Sequence, residues 1–308
     1  SQKRPFRLKV IVALYPVGAL SSPRNTPQPW GDGILRYRIQ RPQSTGFLTF
    51  PVDKIFPHIL LSPDVLGVKL LEKQQVKLIH TSDIHLGDEI GHPSSDEALK
   101  AVIDAVPGLG GDVLLLVGDI FDNGRVGNDV LEGFLDQISR LTVPAVLLPG
   151  NHDLYADDSV YLREPFNHKP ENLHLFTDTL GQTIRFPELT LDLWGRAMPF
   201  HTPEFWPLAG MPQAEEGYWL VALAHGHYHY EEDRDQRSSP IYPDEVASAN
   251  CHYLALGHWD RHVEVSQGKV IAAYSGTPLG PSRSEPVGQV SVVDLNPQTG
   301  VKLGRARL

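Results

Sequence analysis

VKLIHTSDIH at residues 76–85 and DVLLLVGDIFD at residues 112–122 share one design. In each, a short unbroken apolar run ends abruptly in a pair of acidic or histidine side chains. Four to eight apolar residues without alternation mark a strand buried on both faces. Further runs of this type are PAVLLPG, LTLDLWG, YWLVALA, HYLALG, KVIAAYS and QVSVVDL. Between the first two runs, SSDEALKAVIDAV predicts a helix with a Ser94/Glu97 capping box and Ala98, Val102 and Ala105 on one face. Between the second and third, NDVLEGFLDQISRL lines up Val130, Leu131, Phe134, Leu135 and Ile138. The order β-α-β-α-β requires right-handed crossovers and a partly parallel sheet. Few helices separate the later strands, which predicts a second, more antiparallel sheet. The expected fold class is therefore α/β, with two stacked mixed sheets flanked by helices.

This regular texture begins at Val76 and sets the expected catalytic domain at residues 76–308. Residues 1–75 scatter Pro and Gly, as in SSPRNTPQPWGDG, and keep no long period of 2 or 3.6. They read as a poorly patterned, loosely ordered extension, and the sharper hypothesis is that the native chain starts near Val76. They carry 11 Lys+Arg against 4 Asp+Glu, whereas the remainder carries 16 against 33. An acidic body does not attract nucleic acid, whose non-specific binding depends on neutralising phosphates. The single cysteine, Cys251, excludes an intrachain disulfide and a thiolate-built zinc site. No run reaches the roughly 20 apolar residues of a membrane-spanning helix, and a cytoplasmic protein is expected. Composition leaves the oligomeric state open.

The polar residues cluster where the strands end. Asp83 and His85 follow the first run, Asp119 and Asp122 the second, and Asn151, His152 and Asp153 the third. His225 closes a later run, and His258 with Asp260 and His262 follows another. Ligands of open α/β sheets bind beyond the carboxyl ends of strands. Carboxylates gathered beside neutral imidazoles imply cations, because a partly buried carboxylate without positive charge is costly. Asp and Asn oxygens with His nitrogens suit Mn, Zn or Fe.

The ordered series DIH, GDIFD, GNHD, HG and GHWD resembles the motif set of the calcineurin-like metallophosphoesterases over residues 76 to about 280. The resemblance implies the αββα sandwich of that family and two divalent metal ions, manganese favoured over zinc or iron. It implies Asp83 and His85 on one metal, Asp119 bridging, and Asn151, His225 and His258 on the other. His152 would contact the phosphoryl oxygen or protonate the leaving group, oriented by Asp153 or Asp83. Where the family usually has a second histidine, this chain has Asp260, preferred over His262 because the spacing is kept. The stretch from HYLALGHWDRH to AAYSGTP is similar to the SbcD-type DNA exonuclease branch, which favours a phosphodiester substrate attacked by a metal-bridging hydroxide. DNA exonuclease is the runner-up, and a non-catalytic scaffold of the same fold is the alternative of another class.

Other histidines take plainer readings. His227 and His229 read as exposed strand-end positions, and His80 as a packed core residue. His92, His168, His174 and His201 read as surface or loop residues, with His201 a possible cleft liner. Asp122 reads as a hydrogen-bond partner rather than a ligand, and Asp157 and Asp158 as solvated.

Overall fold

A computed structural model describes residues 34–41, 44–51, 72–235, 237–282 and 285–308. The chain falls into two compact units, Ser1–Lys69 and Leu70–Leu308. In the first, Ile34–Arg41 pairs antiparallel with Ser44–Pro51, Ile34 opposite Pro51. Within the stretch read as poorly patterned, Leu35, Tyr37 and Ile39 alternate with Arg36, Arg38 and Gln40, a short local period of 2. The rest of that reading lies outside the described residues up to residue 71. Residues 73–74 belong to the second unit: the Gln74 N–H donates to Thr190 Oγ1 at 2.7 Å, and Trp219 Nε1 donates to the Gln74 carbonyl at 2.7 Å.

The second unit runs β1 (Val76–Thr81), α1 (Ser95–Leu109), β2 (Val113–Val117), α2 (Asn128–Ser139), β3 (Ala145–Leu148), β4 (Leu173–Leu175), β5 (Gln182–Phe186), β6 (Leu191–Gly195), β7 (Trp219–His225), β8 (Tyr253–Gly257), β9 (Val263–Glu264), β10 (Ile271–Tyr274), β11 (Gln289–Asn296) and β12 (Gly300–Arg307). One six-stranded sheet has the order β12-β11-β1-β2-β3-β4 and the other β9-β10-β8-β7-β6-β5. Both are mixed. In the first, β1 to β4 are parallel and β11 and β12 antiparallel. The second has the same balance, since β6, β7, β8 and β10 are parallel and only β5 and β9 pair antiparallel. The expectation of a more antiparallel second sheet fails here. A parallel crossover needs a dozen or more residues but not a helix, and the connections after β6, β7 and β8 supply that length.

Strand alternation divides the apolar side chains into three layers. Leu78, Leu115, Val117, Val146 and Leu148 meet Leu193, Val221, Leu223 and Tyr253 between the sheets. Ile79, Leu114, Leu116 and Leu147 face the helices, and Leu220, Ala222, Leu254, Leu256 and Tyr274 fill the far side of the second sheet. Helix α1 buries Ala98, Leu99, Val102, Ile103 and Val106, so the stripe runs through Val106 rather than the expected Ala105. Ser94 is its N-cap without a side-chain cap bond, so the anticipated capping box does not form. Helix α2 buries Leu131, Phe134, Leu135 and Ile138, leaving Val130 only partly covered.

His80 is a core residue, fully buried with Nδ1 2.8 Å from the Tyr253 hydroxyl. Burial first, then the neighbouring His262, pushes its pKa down to about 3. Unfolded, the ring takes up a proton below about pH 6.5. Between that value and about 3 the unfolded chain therefore binds the extra proton, and His80 costs stability as pH falls, by at most ~1.4 kcal/mol per pH unit. Denaturant titrations of wild type and His80→Gln from pH 7 to 4 check this. The variant should show the shallower loss, and equal slopes would contradict the assignment.

Candidate metal centre

Five parallel strands from both sheets, β1, β2, β3, β7 and β8, open at one rim, and each carries polar residues in the turn that follows. The backbone bends hard there. Asp83 (φ 55°), His85 (φ 56°), Asp119 (φ 53°) and His258 (φ 113°) hold left-handed conformations that non-glycine residues rarely adopt. Such strain persists where surrounding structure enforces it, typically at functional sites. Close approach demands the flanking glycine at 257, where an added Cβ would stand 1.8 Å from the Val117 carbonyl oxygen.

The side chains converge. The Asn151 Oδ1 lies 3.0 Å from His225 Nε2 and 2.8 Å from His258 Nδ1. His225 Nε2 stands 3.3 Å from Asp119 Oδ2, and its Nδ1 donates to the Val117 carbonyl at 2.9 Å. Nitrogen or oxygen atoms of Asp119, His225 and His258 lie within 4.8 Å of one another, and so do those of Asp83, His85 and Asp260. A third such set joins His85, Asp119 and His152. Asp119 thus belongs to both halves of the constellation. His262 instead faces Ser291 Oγ at 3.2 Å, so of the two alternatives it is Asp260 that the fold brings to the rim.

The buried carboxylates have little positive charge near them apart from His225. Asp83 and Asp119 are 1% and 2% exposed, and among the described residues no Lys or Arg forms an ion pair with either. Burial, with Asp119 adding to it, pushes the Asp83 carboxyl up to about 7, against the opposing pull of His225. Burial also works against the Asp119 charge, but His225 and the hydrogen bonds it receives hold this carboxyl far below the usual range. His225 is disfavoured as a cation by burial yet raised to about 9 by Asp119, while burial and His225 push His258 down to about 3. His85 Nδ1 is buried without a hydrogen-bond partner, 3.5 Å from Asp122 Oδ1. Hard oxygens, several neutral imidazoles and an orphaned ring nitrogen fit divalent metal ions.

The expected catalytic pair separates. The His152 N–H donates to Asp119 Oδ1 at 2.8 Å, and the half-exposed ring donates from Nδ1 to the Asp122 carbonyl at 2.6 Å. Asp153, proposed from sequence to orient that ring, does not meet it. Its carboxylate accepts from the N–H groups of Asp119 (3.3 Å), Ile120 (2.7 Å), Phe121 (3.1 Å) and Gly150 (2.6 Å) and from the Tyr161 hydroxyl (2.6 Å). It fastens the β2 and β3 turns together. Asp122 takes the role next to the rings, 3.9 Å from His152 Nδ1 as well as beside His85.

Several neighbours were missed or misread. The Ser82 hydroxyl donates to Asp83 Oδ2 and lies 2.9 Å from Ser275 Oγ, so the YSGTP serine braces Asp83 through Ser82. His92, read as a surface residue, stacks on His85 with centroids 4.5 Å apart. His201 does line the cleft, 5.4 Å from His258. His229 is 6% exposed, so it is not an open strand-end position. Side-chain pairs at this range of separation leave no local periodicity to find.

The sequence matches the calcineurin-like phosphoesterase family over residues 76–302. The chain belongs to that family. Members of that family are metal-dependent and act on phosphoester bonds. A probable cyclic nucleotide phosphodiesterase of Moraxella catarrhalis is 28% identical over 85 residues, 28% of this chain and 30% of that protein. The match therefore spans under a third of the curated relative. Among solved structures, TT1561 of Thermus thermophilus is 16% identical with a TM-score of 0.47, covering 75% of this chain and 99% of that one. A dimetal phosphatase from Danio rerio is 9% identical with a TM-score of 0.49, covering 78% and 99%. No helix among the described residues is long and apolar enough to cross a membrane.

Proposed function

We propose that this phosphoesterase hydrolyses a phosphodiester at a centre of two divalent cations, manganese favoured, with His152 as the proton-handling group. The observation that carries the reading is the shared carboxylate: Asp119 falls in the donor set of His225 and His258 and in that of His85 and His152. Asp83, His85 and Asp260 with Asp119 would hold one cation; Asp119, Asn151, His225 and His258 would hold the other. Bound there, such a pair supplies Lewis acidity and an acidified water at neutral pH, and clamps attacking and leaving oxygens.

The chain's own residues do the rest. Val117 fixes the His225 tautomer from behind, leaving Nε2 for the centre. The bond from His152 Nδ1 to the Asp122 carbonyl leaves its Nε2 free, so that with the ring in its imidazolium form Nε2–H would hand its proton to a leaving oxygen or donate to a phosphoryl oxygen. Among the described residues no Lys or Arg is hydrogen-bonded into this set, which suits the single charge of a diester better than the double charge of a monoester. The name of the Moraxella relative points the same way. The SbcD-type exonuclease reading has the acidic body against it, and the gathered donor sets argue against a scaffold without catalysis.

Assays with Mn(II) on bis-p-nitrophenyl phosphate, p-nitrophenyl phosphate and linear DNA should give turnover of the diester alone. DNA degradation would promote the exonuclease, and inactivity with every metal would favour the scaffold. His152→Ala should retain the metals of wild type by elemental analysis while kcat on a diester with a poor leaving group falls about 10²–10⁴-fold. Wild-type kcat in that variant would remove His152 from this role.

A further inference from the structure

Beside the centre lies a cavity of about 410 Å³, lined by His229, Tyr230, Glu231, Asp233, Tyr242, Pro243 and Asp244. Two phenol rings, three carboxylates and one imidazole make an unusual wall, with no Lys or Arg in it. The His229 ring stacks on Tyr242 at 5.0 Å, and its Nε2 is buried with no hydrogen-bond partner. Tyr230 is 45% exposed and stacks over Trp259, the residue between His258 and Asp260. His227 bridges the two places, its ring 6.1 Å from His258 and 5.4 Å from His229. Trp259 Nε1 donates to His227 Nδ1 at 3.3 Å, tying the cavity wall to the rim.

Resting on the phosphodiester reading, we infer that this cavity binds an ammonium group carried by the substrate's alcohol portion. Aromatic faces attract a desolvated cation, and carboxylates at the rim add to that attraction. A buried, unpartnered imidazole nitrogen accepts a hydrogen bond from an N–H of that cation. A metal ion is a poorer occupant: among the described residues the cavity's carboxylates do not converge into any set of three donors, whereas the ligand candidates at the rim do. The same carboxylates repel phosphate. A zwitterionic diester would thus be oriented by charge, its phosphate at the cations and its ammonium between Tyr230, Tyr242 and Asp244.

Glycerophosphoethanolamine and glycerophosphoglycerol differ at this group, so the holoenzyme should be assayed on both. The expected kcat/KM ratio favours the ammonium diester about tenfold, expressed in KM. The Glu231→Gln/Asp244→Asn double variant should bring the ratio within about twofold, with metal content and thermal melting confirming a folded, loaded protein. A wild-type ratio near one, or an unchanged ratio in the variant, overturns the inference. If neither diester is hydrolysed, turnover of bis-p-nitrophenyl phosphate tells whether the phosphodiester reading itself fails, and calorimetry with ethanolamine hydrochloride decides the cavity on its own. Saturable binding that the double variant weakens supports the ammonium site, and absence of binding to wild type overturns it.

Discussion

Asp119→Asn is expected to empty the proposed centre and to lower diester turnover by about 10³-fold or more. The substitution keeps volume and one acceptor oxygen, so the fold survives and the loss is chemical. What disappears is the negative charge that two donor sets share. The new NH₂ must also face either His225 Nε2, now 3.3 Å from Oδ2, or the His152 N–H that donates to Oδ1 at 2.8 Å. The first arrangement spends the imidazole on the amide, and the second opposes donor to donor. Elemental analysis should find less than one metal per chain, against the two expected of wild type. Two equivalents with wild-type kcat in the variant would refute the shared-ligand assignment.

Asp153→Ala should show the largest loss of stability, about 3–5 kcal/mol. This carboxylate is 1% exposed and satisfies four backbone N–H groups and one phenol. Each donor left buried and unpaired costs roughly 1–3 kcal/mol, and sharing of relaxation keeps the total below a simple sum. Tyr161→Phe removes only one partner and should cost about 1 kcal/mol. Urea titrations of both variants test the order. Equal losses would mean that the amides find other acceptors.

The sequence alone carried the strands, the order of the ligand motifs and the family expectation, because each is local. Unbroken apolar runs end in acidic, amide or histidine clusters, so β1, β2 and β3 and their rim residues could be read directly. The short edge strands Leu173–Leu175 and Gln182–Phe186 were not, since neither has the buried texture of a central strand. Asp153 was misassigned for a related reason. In GNHD it stands next to His152, and nothing in the spacing says that its carboxylate turns back to the amides of residues 119–121. The direction of the second sheet depended on how loops without helices travel, and no composition signal records that.

The left-handed backbone at Asp83, His85, Asp119 and His258 has a bearing on how this enzyme could be engineered. A glycine at any of these four sites would relax the main chain by roughly 1–3 kcal/mol and erase a donor to the centre. Durability and chemistry therefore compete for the same residues. Selection for heat resistance without an activity screen would be drawn toward the positions where the catalyst is most easily lost.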